Sequence, residues 1–300
     1  MSAETTRAVK LGARIPNLAL EAGVVIGWSS GFVGAILAAT TVSIFSVLLW
    51  RFIIVALALL PWLWPIIRHP PGWRWFLLHG AIGFVGMFCC LSLGIKAIDI
   101  GAPAGTAALI GALQPLMTAV LAGPVLGEHV VWRQWLGLLI GLAGVVIAVG
   151  APSPGETLGY VLAFGSTLSI VTATLLTKAR WDGSDFLASF AFQSLVTVIC
   201  TLPFAWADGA LLPTWDGRFA AAVAWAILIS TAGGYAAYYL AVQRMGAVRV
   251  GSLIYLTPPV TMLWAWAMFG QPMTVAGLAG FAVCLVGVYL ARGEGNVARR

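Results

Sequence analysis

With 61% hydrophobic and only 9% charged residues over 300 positions, and a mean hydropathy of +0.98, this chain has too little polar surface to coat a soluble globule. The composition excludes that class and points to a membrane protein in contact with lipid. The net charge of +6 and pI near 9.5 come from cations scattered over loops without a basic stripe or recognition motif, so nucleic acid is not needed to explain them.

A crossing needs about 20 apolar residues. Charge clusters and Gly/Pro punctuation predict ten, at 20–39, 43–66, 75–95, 102–122, 133–150, 157–178, 186–206, 219–241, 247–269 and 274–291. The expected fold class is an all-α polytopic membrane protein of ten transmembrane helices. The chain also repeats itself: Pro115, Thr118, Gly127, Gly137 and Gly144 recur 143 residues later as Pro258, Thr261, Gly270, Gly280 and Gly287, and Pro61 and Trp64 recur after 142 as Pro203 and Trp206. Two five-helix repeats, 20–150 and 151–291, are thus expected between a segment 1–19 and a tail 292–300. An odd number of crossings per repeat turns the second upside down relative to the first, the arrangement of many secondary transporters.

Orientation follows from Lys and Arg, which favour the cytoplasmic loops. Arg7, Lys10, Arg14, Arg68, Arg74, Arg133, Lys178, Arg180, Arg244, Arg249, Arg292, Arg299 and Arg300 fall on the side of the termini, and Lys96 and Arg218 on the other. Both termini are expected in the cytoplasm. The apolar run after Arg14 is long for a signal sequence and nine spans follow, so it reads as a retained first helix.

In the first span Gly23, Gly27 and Gly31 stand four residues apart and lay a small-residue stripe along one face. Gly27-Trp28-Ser29-Ser30-Gly31 also fits the nucleophile-elbow pattern G-x-S-x-G, but the expected helical context lacks the strand-to-helix turn and acid and His partners that give it meaning. Arg51 is the one charge well inside a span; it reads either as an anion contact or as a structural tie to carbonyls near the helix end. His79 opens the third span, where a lining and an interfacial role are both open. Gln114-Pro115 and Thr257-Pro258-Pro259 should bend or break the fourth and ninth helices, since an internal proline removes a backbone donor and clashes with the carbonyl four residues earlier. Paired interruptions of this kind mark transporter sites. Gly137, Gly141 and Gly144 form a packing face on the fifth span. Cys89, Cys90, Cys200 and Cys284 lie in spans as packing residues, and no metal-ligand spacing or cofactor motif is present. Trp62, Trp64, Trp73, Trp75, Trp132, Trp135, Trp181, Trp206 and Trp215 fit an interfacial belt. Trp28, Trp50, Phe164, Tyr235, Tyr239, Tyr255 and Trp264 are expected deeper. Ser252 shares a helix face with Tyr255. No carboxylate is expected inside a span.

Several of these segments, in order, resemble the drug/metabolite transporter superfamily and its ten-helix EamA-type members, in particular amino-acid exporters of the YddG type. They are Gly27-Trp28-Ser29-Ser30-Gly31-Phe32, Arg51-Phe52, Ala107-Ala108-Leu109-Ile110 leading to Pro115 and Gly127-Glu128, and Gly137-Leu138-Leu139-Ile140-Gly141 with Gly144-Val145. The second repeat departs at Gln271-Pro272, where Gly127-Glu128 of the first becomes Gly270-Gln271. The resemblance implies a basket of helices around a central cavity lined by helices 1, 3, 4, 6, 8 and 9, exporting small metabolites across a bacterial inner membrane.

The expected function is an alternating-access secondary transporter, not an enzyme, that exports amino acids or similar small metabolites by facilitated diffusion. The substrate-binding candidates are His79, Ser252, Tyr255, Phe164, Trp28 and Gln114, with helix breaks at Pro115, Pro258 and Pro259. The alternatives are a carrier of hydrophobic drugs or other metabolites, including a proton-coupled one, and, from another class, a lipid-handling membrane enzyme or a scaffold.

Overall fold

The computed structural model describes residues 16–38, 43–102, 104–150, 154–180, 185–213 and 216–292. Trp181, Trp215, the Thr40-Thr41 link and the terminal cations Arg7, Lys10, Arg14, Arg299 and Arg300 lie outside them. Among the described residues the chain is helical, without strands. We number the helices α1 (Asn17–Ala38), α2 (Ile44–Ala58 and Leu60–Arg68), α3 (Trp73–Ala97), α4 (Thr106–Leu126), α5 (Trp132–Val149), α6 (Thr157–Ala179), α7 (Phe186–Ala207), α8 (Gly217–Met245), α9 (Ala247–Phe269) and α10 (Val275–Ala291). The seven from α3 to α9 are long and apolar enough to cross a bilayer, and α2, bent by 64°, makes an eighth. The 22 residues of α1 measure about 33 Å at 1.5 Å per residue; α10 is shorter, at 17 residues. The protein is a polytopic all-α membrane protein; a crossing count of ten is part of the reading proposed below.

Local chemistry sets the ends of these helices. Gly127 and Gly270, with φ of 68° and 64°, stop α4 and α9 in the left-handed conformation that costs glycine least. Asp185 accepts hydrogen bonds from the amides of Leu187 and Ala188 at the start of α7, Asp216 from Phe219 at the start of α8, and Thr274 from Gly277 at the start of α10.

Helix contacts exchange in pairs between the two repeats. The contact of α1 with α8 is matched by that of α6 with α3, and the contact of α4 with α6 by that of α9 with α1; α2 meets α7, α4 meets α9 and α5 meets α10. Most of the helix contacts thus recur at equivalent positions of the two repeats. Glycine seams permit the closest approaches. A Cβ on Gly144 would lie 2.7 Å from Cys284 N on α10, and a Cβ on Gly234 would lie 2.8 Å from Gly27 C on α1.

The repeat also governs irregular backbone. α3 and α8 each contain a π-helical stretch, Gly83–Cys89 and Ala226–Tyr235, starting at the same 143-residue offset that relates Pro115 to Pro258. α4 is interrupted at 112–113, and α9 tightens into a 3-10 turn at Leu253–Leu256. The largest buried apolar cluster joins Val24, Leu138, Val145, Val250, Leu253, Tyr255 and Val288. Outward faces carry Leu57, Leu77, Ile199 and Leu228, a surface suited to hydrocarbon. Trp62, Trp64, Trp73, Trp132 and Trp206 are exposed near helix ends, whereas Trp75 is not a belt residue: it is buried on His79 and Phe192.

Candidate functional site

A cavity of about 150 Å³ lies between α1, α2, α3, α6, α7 and α8. Gly27, Trp28 and Gly31 of α1 form one wall; Arg51 and Phe52 of α2, Ile170 of α6 and Phe190 of α7 complete others. The remaining walls come from the two π-helical regions: Gly86, Met87, Cys90 and Leu91 on α3, and Ser230, Thr231 and Tyr235 on α8. π-bulges place an extra residue in the turn and recur at functional sites. The resemblance implied lining by helices 1, 3, 4, 6, 8 and 9. The cavity instead takes α2 and α7 in place of α4 and α9, because the inner faces of α4 and α9 are spent on each other. Pro115 is buried, and a Cβ on Gly251 would lie 3.6 Å from its Cα.

Hydrogen bonds hold the polar side of the cavity. Ser30 Oγ donates to the Gly27 carbonyl at 2.7 Å and meets Ser230 Oγ at 2.8 Å. Arg51 Nε donates to Thr231 Oγ1 at 2.7 Å, and Thr231 Oγ1 in turn donates to the Ala226 carbonyl five residues back, at 2.8 Å. The Arg51 guanidinium also stands 5.1 Å from the centre of the Phe52 ring. Trp28 stacks on Tyr235 and packs at a tilt against Tyr238, with centroid separations of 6.3 and 4.6 Å. Neighbouring donors steady the α1 segment: Trp225 Nε1 bonds the Ser30 carbonyl at 2.9 Å and Trp264 Nε1 bonds Ser29 Oγ at 3.1 Å. The serines of the G-x-S-x-G pattern thus sit within a continuous helix and fasten α1 to α8 and α9.

Of the six substrate-binding candidates, Trp28 lies on the cavity wall. His79 is buried between Trp75, Phe192 and Gln193, its Nδ1 3.4 Å from Gln193 Nε2, at the α3–α7 contact. Ser252 bonds the carbonyl of Arg249 at 2.7 Å. Tyr255 is fully buried against Gly141, where any Cβ would strike its ring. Gln114 is buried beside Tyr238, one layer behind Trp28, and Tyr238 shares a 2.8 Å hydrogen bond with Thr174. Phe164 on α6 faces outward, 46% exposed. Pro259 borders a crevice of about 10 Å³ against α10, room for little more than a water molecule. Thr167 Oγ1 reaches the Ile110 carbonyl, next to the α4 interruption, at 3.5 Å.

The residues missing from the candidate set are Arg51, Ser230, Thr231 and Tyr235. Arg51 carried a signal, as a lone charge at depth. Tyr235 carried one as an aromatic expected at depth; Ser230 and Thr231 carried almost none, because a π stretch changes which side chains face inward and leaves no mark in composition. A carboxylate also proves to be buried near the start of α1, contrary to expectation: Glu21 is 4% exposed and holds Arg249 at 2.9 Å and Arg292 more closely still. One turn inside α1 it escapes water by pairing twice, which is what burial of a charge demands.

The family described as EamA-like transporter matches residues 18–150 and, a second time, 157–293. A "Probable terminal-alkyne amino-acid exporter" of Streptantibioticus cattleyicolor is 27% identical over 217 residues, 71% of each chain. A "Probable amino-acid metabolite efflux pump" of Salmonella typhimurium is 25% identical over 69% of this chain and 71% of its own, and the "Uncharacterized transporter YvbV" of Bacillus subtilis is 23% identical over 73% of each. A crystal structure aligns with a TM-score of 0.75 at 18% identity, covering 91% of this chain and 95% of the other, and supports the fold alone.

Proposed function

Because this chain belongs to the EamA-like transporter family, we propose that it exports amino acids or similar small metabolites across the bacterial inner membrane by alternating access. It is an integral membrane transporter rather than an enzyme. The observation that carries the reading is the symmetry of the cavity: its two irregular walls are the π-helical regions at equivalent positions of the two repeats. In this reading ten crossings form two inverted repeats, both termini lie in the cytoplasm, and exchange of conformation between the repeats opens the cavity to each side in turn. The break before Pro115 and the 3-10 turn before Pro258–Pro259 supply the points of flexure. The relatives named for amino-acid export support the substrate class. So does size, since about 150 Å³ is below the several hundred typical of drug-sized ligands, which favours a small metabolite over the hydrophobic-drug alternative.

Reconstitution tests it directly. Proteoliposomes preloaded with unlabelled amino acids should accumulate the same labelled compound by counterflow, at equal rates with and without an imposed pH gradient if the carrier is uncoupled. No counterflow with any member of a broad panel would remove the proposal, and stoichiometric acceleration by the gradient would replace facilitated diffusion with proton coupling.

A further inference from the structure

We infer that Arg51 is a receptor for a carboxylate, so that what enters the central cavity is a small organic acid, with or without an amino group. The inference rests on the transport reading above and narrows its substrate. A cation at this depth is costly unless it is paired or hydrated, and among the described residues no carboxylate pairs with Arg51. Its contacts are the Nε bond to Thr231 and the face of Phe52. A guanidinium has five N–H donors in a planar fork; Thr231 takes the one on Nε and leaves the four on the two terminal nitrogens. The residue lines the cavity, so these donors are available to a group that enters it. Two parallel N–H donors on a fixed fork match the two oxygens of a carboxylate.

The positioning is built into the backbone. Thr231 belongs to the π-helical stretch of α8, and its hydroxyl donates five residues back to the Ala226 carbonyl at 2.8 Å. That donation turns the oxygen lone pairs toward α2, where one accepts the Nε–H of Arg51. Ser230 and Ser30, 2.8 Å apart beside it, offer hydroxyls to a second polar group. Trp28, Phe190 and Tyr235 also line the cavity and offer aromatic surface to an aliphatic side chain, and such ring faces also accept an ammonium group. A cavity of about 150 Å³ has room for a small side chain.

The test is equilibrium binding by titration calorimetry to the whole protein purified in a non-ionic detergent. The probes are L-alanine, L-valine, L-threonine and L-methionine, each beside its amide, together with 3-methylbutanoate and isobutylamine, which are valine without its amine and without its carboxylate. The expected result is at least one acid bound tenfold or more tighter than its amide, with 3-methylbutanoate above isobutylamine. Arg51→Gln should abolish that preference, with the acid falling to the level of the amide, and Arg51→Lys should recover part of it. Thr231→Val, which leaves the charge but frees its orientation, should weaken the acid and spare the amide. Equal binding of acids and amides by the unaltered protein, or an acid preference that survives in monodisperse Arg51→Gln, would overturn the inference. Counterflow measured in parallel keeps the two readings apart: transport of amides as fast as acids removes the carboxylate receptor and leaves a transporter, whereas tight, Arg51-dependent acid binding without flux removes transport and leaves the receptor.

Discussion

Gly31 and Gly144 have the same side chain and opposite surroundings. A Cβ on Gly31, at the cavity, would meet nothing within 4 Å, whereas one on Gly144 would fall 2.7 Å from the backbone nitrogen of Cys284. Backbone cannot yield as a flexible side chain can, so Gly144→Ala should separate α5 from α10 and cost about 1–3 kcal/mol, the usual range for overpacking. Thermal melting in detergent should show a lower midpoint for Gly144→Ala and an unchanged one for Gly31→Ala. Equal midpoints would mean that the α5–α10 seam is looser than these distances imply. The same contrast separates the aromatic candidates: Trp28 meets the cavity, Tyr255 is sealed in the seam and Phe164 points outward. Depth along a helix is readable from sequence to within a turn; the face is not, once a helix is buried on several sides.

At the scale of elements, irregular backbone falls at repeat-equivalent places in α3 and α8 and in α4 and α9. In α4 the proline removes the donor that would have met the Gly111 carbonyl, and the helix restarts at Gln114. Pro115→Ala and Pro258→Ala should each restore one backbone hydrogen bond and stiffen the flexure. Counterflow should slow by about tenfold, equivalent to ~1.4 kcal/mol on the barrier, with melting temperature unchanged or raised. Full flux in both folded variants would assign the prolines to packing. Prolines do not have one effect: Pro203 lies within the continuous helix α7, while its repeat counterpart Pro61 follows a 64° bend in α2. Neighbouring packing decides whether a lost hydrogen bond becomes a bend.

For the molecule as a whole, the charge count and the ion pairs single out the same end. Glu21 ties α1 to Arg249 of α9 and to Arg292 just beyond α10, and both arginines belong to the cation-rich side. Lys178 on that side donates to the carbonyls of Val242 and Gln243 at 3.1 and 3.4 Å, capping α8. The proposed topology puts this end in the cytoplasm. Reporter fusions at both termini should give a cytoplasmic signal, and a periplasmic signal at either one would refute ten crossings with an inverted second repeat.

The membrane class, the positions of the helices and the duplication were settled by sequence, because hydrophobic length, charge asymmetry and spaced Gly and Pro are local quantities that survive without coordinates. Proline at 115 and 258 also marked, from sequence, where the backbone departs from regular helix just upstream: a break at 112–113 in α4 and a 3-10 turn at Leu253–Leu256 in α9. The walls of the cavity were decided by tertiary structure. The closeness of α4 to α9, the π-helical turns of α3 and α8, and the buried pairing of Glu21 depend on which faces meet. In a chain that is 61% hydrophobic, lipid-facing and core-facing residues look alike. His79 could therefore be placed at the start of α3 from sequence but not assigned to the contact with α7, and Arg51 could be recognised as a charge at depth but not as one that faces open space.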